Sequence, residues 1–419
     1  MKKRILRFSV SFFLMYALWG FITTNTVFAS SALVYISMVI LLLCFGYLFI
    51  HYGKLNNNWQ AMLWIPFLGY SILCWFLNLK LEFIVYLFSC LTIIAIAGNI
   101  KLREYIPQKL LVFSGLFAFV GIIIQLFFPS VYNSYIFPLF TNSESLSFWM
   151  DSEYGFAGFT YQLASTANIL LMAEAFWLYA SDKIKIAQKK WIFWSVLVIL
   201  IAGIFLAGKR THSTMAIVLP VLLYTLSRRN LSKIVLTLIF VGSIAFFVGS
   251  YFVEHAEEYS DTLFVKRFAG SVIELQSGED ITSNRSNLSK EALRLSGSMF
   301  GIGIGEFKNR SVYQMDAHQT YYQVLCELGI FGFILFVTPI IFCFVRTFKL
   351  HRKYKGQSNI LKLSLFLQLY FILYSFTGNT MNDMANYFFY FLAIGLFIDV
   401  EMHGEQMRQN HDKKNISTL

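Results

Sequence analysis

Long apolar stretches recur along the whole 419-residue chain, and they constrain its fold more than any other feature. The composition agrees, because 57% hydrophobic and 14% charged residues are too apolar a mixture for a soluble domain of this length. At about 20 residues per span, the sequence predicts an all-α polytopic membrane protein with about twelve transmembrane helices. The predicted spans are residues 8–25, 31–51, 60–78, 82–100, 109–128, 160–180, 191–207, 212–227, 233–253, 319–346, 360–378 and 384–401.

Lysine and arginine concentrate in loops that fall on one side of the membrane when the spans alternate in direction. Because short basic loops stay in the cytoplasm, both termini are predicted to be cytoplasmic. These loops explain most of the net charge of +11, and the lack of a basic stripe with interleaved aromatics argues against a nucleic-acid partner. The N-terminal stretch has the form of a signal peptide, but we favour an uncleaved first span.

The predicted spans divide the chain into four parts. Residues 1–253 carry nine spans and include an aromatic-rich outer segment, residues 129–159, that we interpret as a lid. Residues 254–318 form a long outer loop subdomain between spans nine and ten, and residues 319–401 carry the last three spans. Residues 402–419 are a cytoplasmic tail. The long outer loop is expected to carry the functional site, because loops on a rigid scaffold often do.

Acidic, cysteine and histidine residues give no convincing metal site. The five cysteines and seven histidines lack the spacing of metal ligands, so neither a metal nor a cofactor is predicted. Asp151 and Glu153 have the Asp-x-acid form of some metal-dependent glycosyltransferases, but so short a match is weak. Glu174 interrupts the sixth span, where an acid is a functional candidate by default. Since it lies toward the cytoplasmic end, we interpret it as a helix–helix contact.

Lys209 and Arg210 lie in a short turn between the seventh and eighth spans, which the topology places outside. Two positive charges there oppose the cytoplasmic bias of basic residues. A guanidinium binds phosphate oxygens in pairs and stays charged, so Arg210 is a candidate for binding a lipid phosphate. Snorkelling to lipid headgroups explains the charge placement equally well.

A segment of the outer loop has helical spacing, with an apolar stripe formed by Leu288, Ala292 and Leu295. Helical geometry places Arg285 beside this stripe and Arg294 well away from it. Arg285 should therefore point toward the membrane domain, and Arg294 should face water. Arg285 is the better candidate for a substrate-binding arginine.

Glycines occupy every second position of residues 301–307, including Gly303 and Gly305. The segment is not a nucleotide-binding loop, because no strand precedes it and no Gly-Lys-Ser/Thr ends it. We interpret it as a compact structural turn or a backbone nest for an anion.

His318 stands at the head of the tenth span, where the outer loop re-enters the membrane. An imidazole can accept a proton from a sugar hydroxyl at neutral pH. Asp316 could orient the ring or remain an exposed loop carboxylate, and Tyr322 shares a helix side with His318. Glu327 lies about two helical turns after His318, further into the tenth span, and is interpreted as a buried polar contact.

These motifs together resemble the family of O-antigen ligases and Wzy-type polysaccharide polymerases. The most specific part is residues 301–307 followed by residues 317–332, which is similar to the family's glycine turn, histidine and Glu-x-Gly. Gln319 replaces the usual Asn or Ser after the histidine, although an amide is kept. Residues 155–165 are similar to a weaker family segment. Arg210 resembles the arginine of the family's Ser-Arg turn, with Lys209 in place of serine.

The resemblance implies a GT-C-like glycosyltransferase architecture and a metal-independent, inverting transfer of a glycan from undecaprenyl diphosphate. It places the reaction on the outer face of a bacterial plasma membrane, with membrane lipid and a chain-length regulator or flippase as further partners. In the family, arginines bind the diphosphate and the histidine activates the acceptor hydroxyl, which gives catalytic roles to Arg210, Arg285 and His318. The remaining substrate-binding candidates are Lys209, Gly303, Gly305, Gln319 and Tyr322.

A polytopic membrane chain of this kind has four candidate functions, which the sequence supports unequally. A polymerase, which uses a second lipid-linked repeat unit as acceptor, is preferred over a ligase, which uses lipid A core or another surface acceptor. A lipid-linked oligosaccharide flippase would have charged residues lining its spans and no dominant outer loop, the reverse of this sequence. A non-catalytic scaffold gives no reason for outward-facing arginines.

Overall fold

A computed structural model of the protein describes residues 2–52, 62–78, 101–141, 155–181, 184–227, 251, 254–255, 258, 285–354, 358–380 and 383–416. The structure is all-helical over these residues, as the sequence predicts. Its main helices are α1 (Lys2–Trp19), α2 (Ser31–Tyr52), α3 (Ile65–Asn78), α4 (Gln108–Phe127), α5 (Leu163–Ala180), α6 (Lys190–Leu206), α7 (Arg210–Leu226), α8 (Arg285–Leu295), α9 (Thr320–Lys353), α10 (Asn359–Tyr374) and α11 (Met384–Ile416).

Six described segments are long and apolar enough to cross a membrane, and shorter apolar helices accompany them. This confirms the prediction of a helical membrane protein with several spans. The count of about twelve spans stays a prediction, because span 82–100 and all of span 233–253 except residue 251 lie outside the described residues. The long segments are Lys2–Thr23, Ala32–Tyr52, Gln108–Phe127, Leu163–Ala180, Thr320–Lys353 and Ala385–Met402.

Two of the last three spans are longer helices than the sequence predicts. Helix α9 continues to Lys353 but is interrupted by a non-helical residue, Gly329. Helix α11 continues to Ile416, through most of the stretch that we expected to be a tail.

The chain forms two compact units. The central unit comprises Met15–Ile40 and Pro107–Ser283. The C-terminal unit comprises Met1–Leu14, Leu41–Ile106 and Asn284–Leu419.

Close helix packing characterises the central unit. Gly115 on α4 lies so near Ala173 on α5 that a Cβ at position 115 would collide with the Ala173 methyl group. Small residues allow this kind of approach between membrane helices. Glu174, which follows Ala173, is fully buried, as expected for a side chain at a helix–helix contact.

An aromatic core joins α3, α9 and α11 in the C-terminal unit. The ring of Trp64, just before α3, meets Phe391 of α11 edge-on at 5.2 Å between centroids and Phe336 of α9 at 6.2 Å. Helix α10 joins this core through a buried amide, since Gln368 donates a hydrogen bond of 2.8 Å to Thr347 of α9. Such polar contacts help to fix neighbouring membrane helices.

Candidate active site

Helix α8 positions the first candidate, Arg285. Leu288 and Ala292 are buried on its inner side, so the predicted apolar stripe is confirmed. Arg285 begins the helix, and its Nη1 donates a hydrogen bond of 2.8 Å to the carbonyl oxygen of Thr377, in the loop after α10. The side chain thus points into the protein, as its place beside the stripe predicts.

Arg294 on the same helix faces water, with 62% of its side chain exposed. Its Nε and Nη2 donate hydrogen bonds of 2.8 and 2.7 Å to the carboxylate of Glu291. These bonds lower the pKa of Glu291 below its usual value. The prediction that Arg285, and not Arg294, points into the molecule is therefore confirmed.

His318 adopts a left-handed backbone conformation, with φ at 51°. This region is uncommon for a residue other than glycine, so its surroundings must stabilise it. The next residue, Gln319, precedes α9 and accepts a hydrogen bond of 3.2 Å from the hydroxyl of Ser289 on α8. Helix α8 therefore contacts the segment that carries the histidine.

A loop that the sequence analysis overlooked joins these parts. This hairpin loop, residues 375–380, follows α10. The backbone N–H of Thr320 donates to the carbonyl oxygens of Ser375 and Gly378 at 2.9 and 3.1 Å. The same loop accepts the hydrogen bond from Arg285. Arg285 and the start of α9, two residues after His318, are thus fixed to one short loop.

The glycine segment lies beside the interruption of α9. Gly301, Gly303 and Gly305 have φ values of 77°, 107° and 70°, which side chains rarely tolerate. The N–H groups of Ile302 and Gly303 donate to the carbonyl oxygens of Cys326 and Glu327 at 3.0 and 2.9 Å. The segment is a compact turn, one of its two predicted interpretations.

Glu327 is the acidic residue whose side chain contacts this turn. Its side chain is 2% exposed, and one carboxylate oxygen accepts from the N–H of Phe307 at 3.3 Å. The N–H of Gly305 also donates to this carboxylate. Glu327 is thus the buried polar contact that the sequence predicts. Tyr322 packs with α8 in the adjoining apolar cluster.

Lys209 and Arg210 belong to the central unit. Gly208, with φ at 67°, makes the turn after α6, and Arg210 is the first residue of α7. The N–H of Phe156 donates to the carbonyl oxygen of Leu206 at 3.0 Å. The family-like segment 155–165 therefore supports the turn that precedes Arg210. Convergence of Arg210 with the residues of the other unit stays a prediction.

Other candidates take no part in these contacts. Asp316 is half-buried in the loop before His318. Asp151 and Glu153 lie outside the described residues, as do residues 259–284 of the predicted outer loop. Within the described ranges, the side chains of His, Cys, Asp and Glu form no group of three or more that could hold a metal ion.

Residues 195–337 of the chain match a family model described as O-Antigen ligase. The matched stretch contains Arg210, Arg285, the glycine turn and His318, so the resemblance found in the sequence is confirmed. A search of curated proteins finds no match.

Proposed function

We propose that this chain, which carries a domain of the O-antigen ligase family, is a polysaccharide polymerase. It transfers a glycan from undecaprenyl diphosphate to a second lipid-linked repeat unit at the outer face of a bacterial plasma membrane. Members of the family act on lipid-linked glycans, and the apolar helices are suited to a lipid-linked substrate.

One observation carries the proposal. Arg285 and Thr320, the latter two residues after His318, both donate hydrogen bonds to the hairpin loop 375–380. A permanent cation and a titratable imidazole are thereby associated with the same small part of the C-terminal unit. Glycosyl transfer from a diphosphate needs this pair, because negative charge grows on the leaving group while the acceptor loses a proton.

In the proposed reaction, the acceptor hydroxyl oxygen attacks the anomeric carbon of the donor sugar. Its proton passes to the neutral imidazole of His318, which is the general base. The bond between the anomeric carbon and the diphosphate oxygen breaks, and undecaprenyl diphosphate leaves. One displacement inverts the anomeric configuration.

Arg285 and Arg210 stabilise the departing diphosphate. Guanidinium groups pair with phosphate oxygens and stay charged, so they oppose the growing negative charge. Lys209, beside Arg210, adds a second cation, and Gln319 contributes a polar side chain beside the histidine. Gly303, Gly305 and Tyr322 remain substrate-binding candidates, although their described contacts are within the protein.

The proposed topology follows from the basic loops. It places the hairpin loop 375–380, the glycine turn and Arg210 outside, with both termini in the cytoplasm. A chain-length regulator or a flippase is the partner expected for a polymerase.

The test uses a strain that lacks the gene, complemented with the wild type, His318→Ala or His51→Ala. His51 is an exposed histidine on α2 and serves as the matched control. Surface glycan is resolved by chain length on a gel, and each protein is quantified in membranes. We expect the deletion and His318→Ala to leave single repeat units on the surface anchor, and His51→Ala to restore long chains.

Other patterns overturn parts of the proposal. Long chains that remain on the carrier lipid would identify a ligase, the activity that the family description names. Carrier-linked repeat units confined to the cytoplasmic leaflet would identify a flippase. Long surface chains made by His318→Ala would remove the histidine from the mechanism.

A further inference from the structure

A chain of side-chain hydrogen bonds runs from the hairpin loop into α9. The Nδ2 of Asn379 donates to Oε1 of Gln323 at 2.5 Å. The Nε2 of Gln323 donates in turn to Oε1 of Glu327 at 3.2 Å. That carboxylate oxygen also accepts from the backbone N–H of Phe307. The chain of bonds therefore ends at a group fixed by the glycine turn.

The contacts give the chain one direction. The Oε1 of Glu327 accepts from a backbone N–H, and Gln323 presents its amide nitrogen to the same oxygen. The amide oxygen of Gln323 then faces Asn379 and requires a donor, which is Nδ2. The orientation of Asn379 is thereby set, and its Oδ1 is directed away from Gln323.

The Oδ1 of Asn379 is buried and has no hydrogen-bond partner among the described residues. A buried carbonyl oxygen without a donor is unfavourable, so such atoms normally have a partner from protein, water or ligand. The residue as a whole is partly exposed, so Oδ1 lies close to the protein surface.

Asn379 lies beside the segment that carries His318. The residues before and after Asn379 both bind the hydroxyl of Thr320. The carbonyl oxygen of Gly378 accepts from this hydroxyl at 2.9 Å, and the N–H of Thr380 donates to it at 2.8 Å. A ligand bound between the histidine and the hairpin loop would therefore lie near Asn379.

We propose that Oδ1 of Asn379 accepts a hydrogen bond from a hydroxyl group of the lipid-linked glycan. This inference rests on the proposed function and assigns a glycan-binding residue that the sequence analysis did not include. Sites that pair with a substrate hydroxyl discriminate against sugars that lack it. Asn379 therefore contributes to the choice of sugar, whereas the arginines bind the diphosphate that all donors share.

The test compares purified full-length wild type with Asn379→Ala in detergent. The substrate is lipid-linked glycan extracted from a strain that lacks the gene. We expect KM for this glycan to rise about tenfold, the effect of losing one hydrogen bond. Undecaprenyl diphosphate, which has no sugar, is used as a competitive inhibitor, and its inhibition constant should be unchanged.

Two further variants complete the experiment. Asn309→Ala removes an exposed asparagine two residues after Phe307 and should retain the wild-type KM. Asn379→Asp keeps an acceptor oxygen at the same place but loses the donor to Gln323, so its KM should rise less than that of Asn379→Ala. If Asn379→Ala does not accumulate, Asn379→Asp takes its place in the comparison with the wild type. A tenfold higher KM for Asn379→Asp would then overturn the inference.

The outcomes separate this inference from the proposed function. An unchanged KM in Asn379→Ala overturns the inference, and so does an equal rise in KM and in the inhibition constant, which indicates a merely structural role. A wild-type protein that transfers no glycan between lipid carriers overturns the proposed function instead.

Discussion

The hydroxyl of Tyr70 on α3 donates a hydrogen bond of 2.9 Å to the carbonyl oxygen of Leu328, next to the interruption of α9. It also contacts the carbonyl oxygen of Phe300 at 3.1 Å. Carbonyl oxygens at a helix interruption need donors from elsewhere. Tyr70 therefore links α3 to both the glycine segment and the interrupted helix, and stabilises the frame of the candidate site.

Tyr70→Phe should lower the free energy of unfolding by about 1 kcal/mol, because it removes the hydrogen-bond donor to the Leu328 carbonyl oxygen while keeping the ring. Thermal unfolding of the purified protein in detergent measures the effect. Tyr35→Phe, which changes an exposed tyrosine on α2, is the control and should leave Tm unchanged. Equal Tm values for the wild type and Tyr70→Phe would show that the hydroxyl is not needed.

Gly329→Ala should strongly reduce accumulation of folded protein. Its φ of 69° is unfavourable for alanine, and the new Cβ would collide with the carbonyl oxygen of Met299. Gly69→Ala is the matched control, since nothing lies within 4 Å of a Cβ at that position. Membrane levels and size-exclusion profiles measure the difference. Normal levels of Gly329→Ala would mean that α9 can adopt a continuous helix.

Arg285→Ala should abolish long surface glycan, while Arg294→Ala should leave it intact. Arg285 points inward and bonds to Thr377, whereas Arg294 is exposed and pairs with Glu291. Loss of one charged donor to a leaving group typically costs about 10²- to 10³-fold in rate. Initial rates with extracted lipid-linked glycan measure this loss. Equal activity of the two variants would argue against a role for Arg285 in diphosphate binding.

Asp383, which precedes α11, should make stability depend on pH. Burial raises its pKa to about 6, while its oxygens accept from the N–H of Ala385 and the amide of Asn386. An unfolded aspartate has a pKa of about 3.9, so the folded state binds the proton more tightly. This contribution to stability is present below about pH 4 and is lost as the pH rises through about 6.

The Asp383→Asn variant tests this dependence. It cannot ionise and keeps an acceptor for the N–H of Ala385, so its Tm relative to that of the wild type should rise between about pH 4 and pH 6 and stay constant at higher pH. Melting curves at several pH values measure the difference. A constant difference across this range would show that Asp383 does not titrate in the folded protein.

Local periodicity was sufficient to predict several features. The apolar stripe of α8 distinguished Arg285 from Arg294, because a single helix determines which residues share a side. The depth of Glu327 below the start of α9 likewise indicated a buried polar contact. These features depend on residues within a few turns of each other.

Features that depend on distant segments could not be predicted in this way. The hairpin loop 375–380 contacts Arg285 and Thr320, although it is far from both in sequence. Its glycine, asparagine and threonine residues resemble any turn between two spans, so nothing local distinguishes it. The interruption at Gly329 was missed because glycine is also common in uninterrupted membrane helices.

Gly155→Ala should lower glycan transfer although residue 155 is not among the candidate catalytic residues. A Cβ at this position would lie 2.7 Å from the carbonyl oxygen of Ala207, in the turn just before Arg210. The turn must then shift, and a displacement of about 1 Å at a catalytic group can cost up to about 10²-fold in rate.

Gly46→Ala, where a Cβ meets nothing within 4 Å, is the matched control. Both proteins should accumulate in membranes, and initial rates with extracted lipid-linked glycan measure the effect. Full activity of Gly155→Ala would show that the position of this turn, and with it that of Arg210, is not critical for transfer.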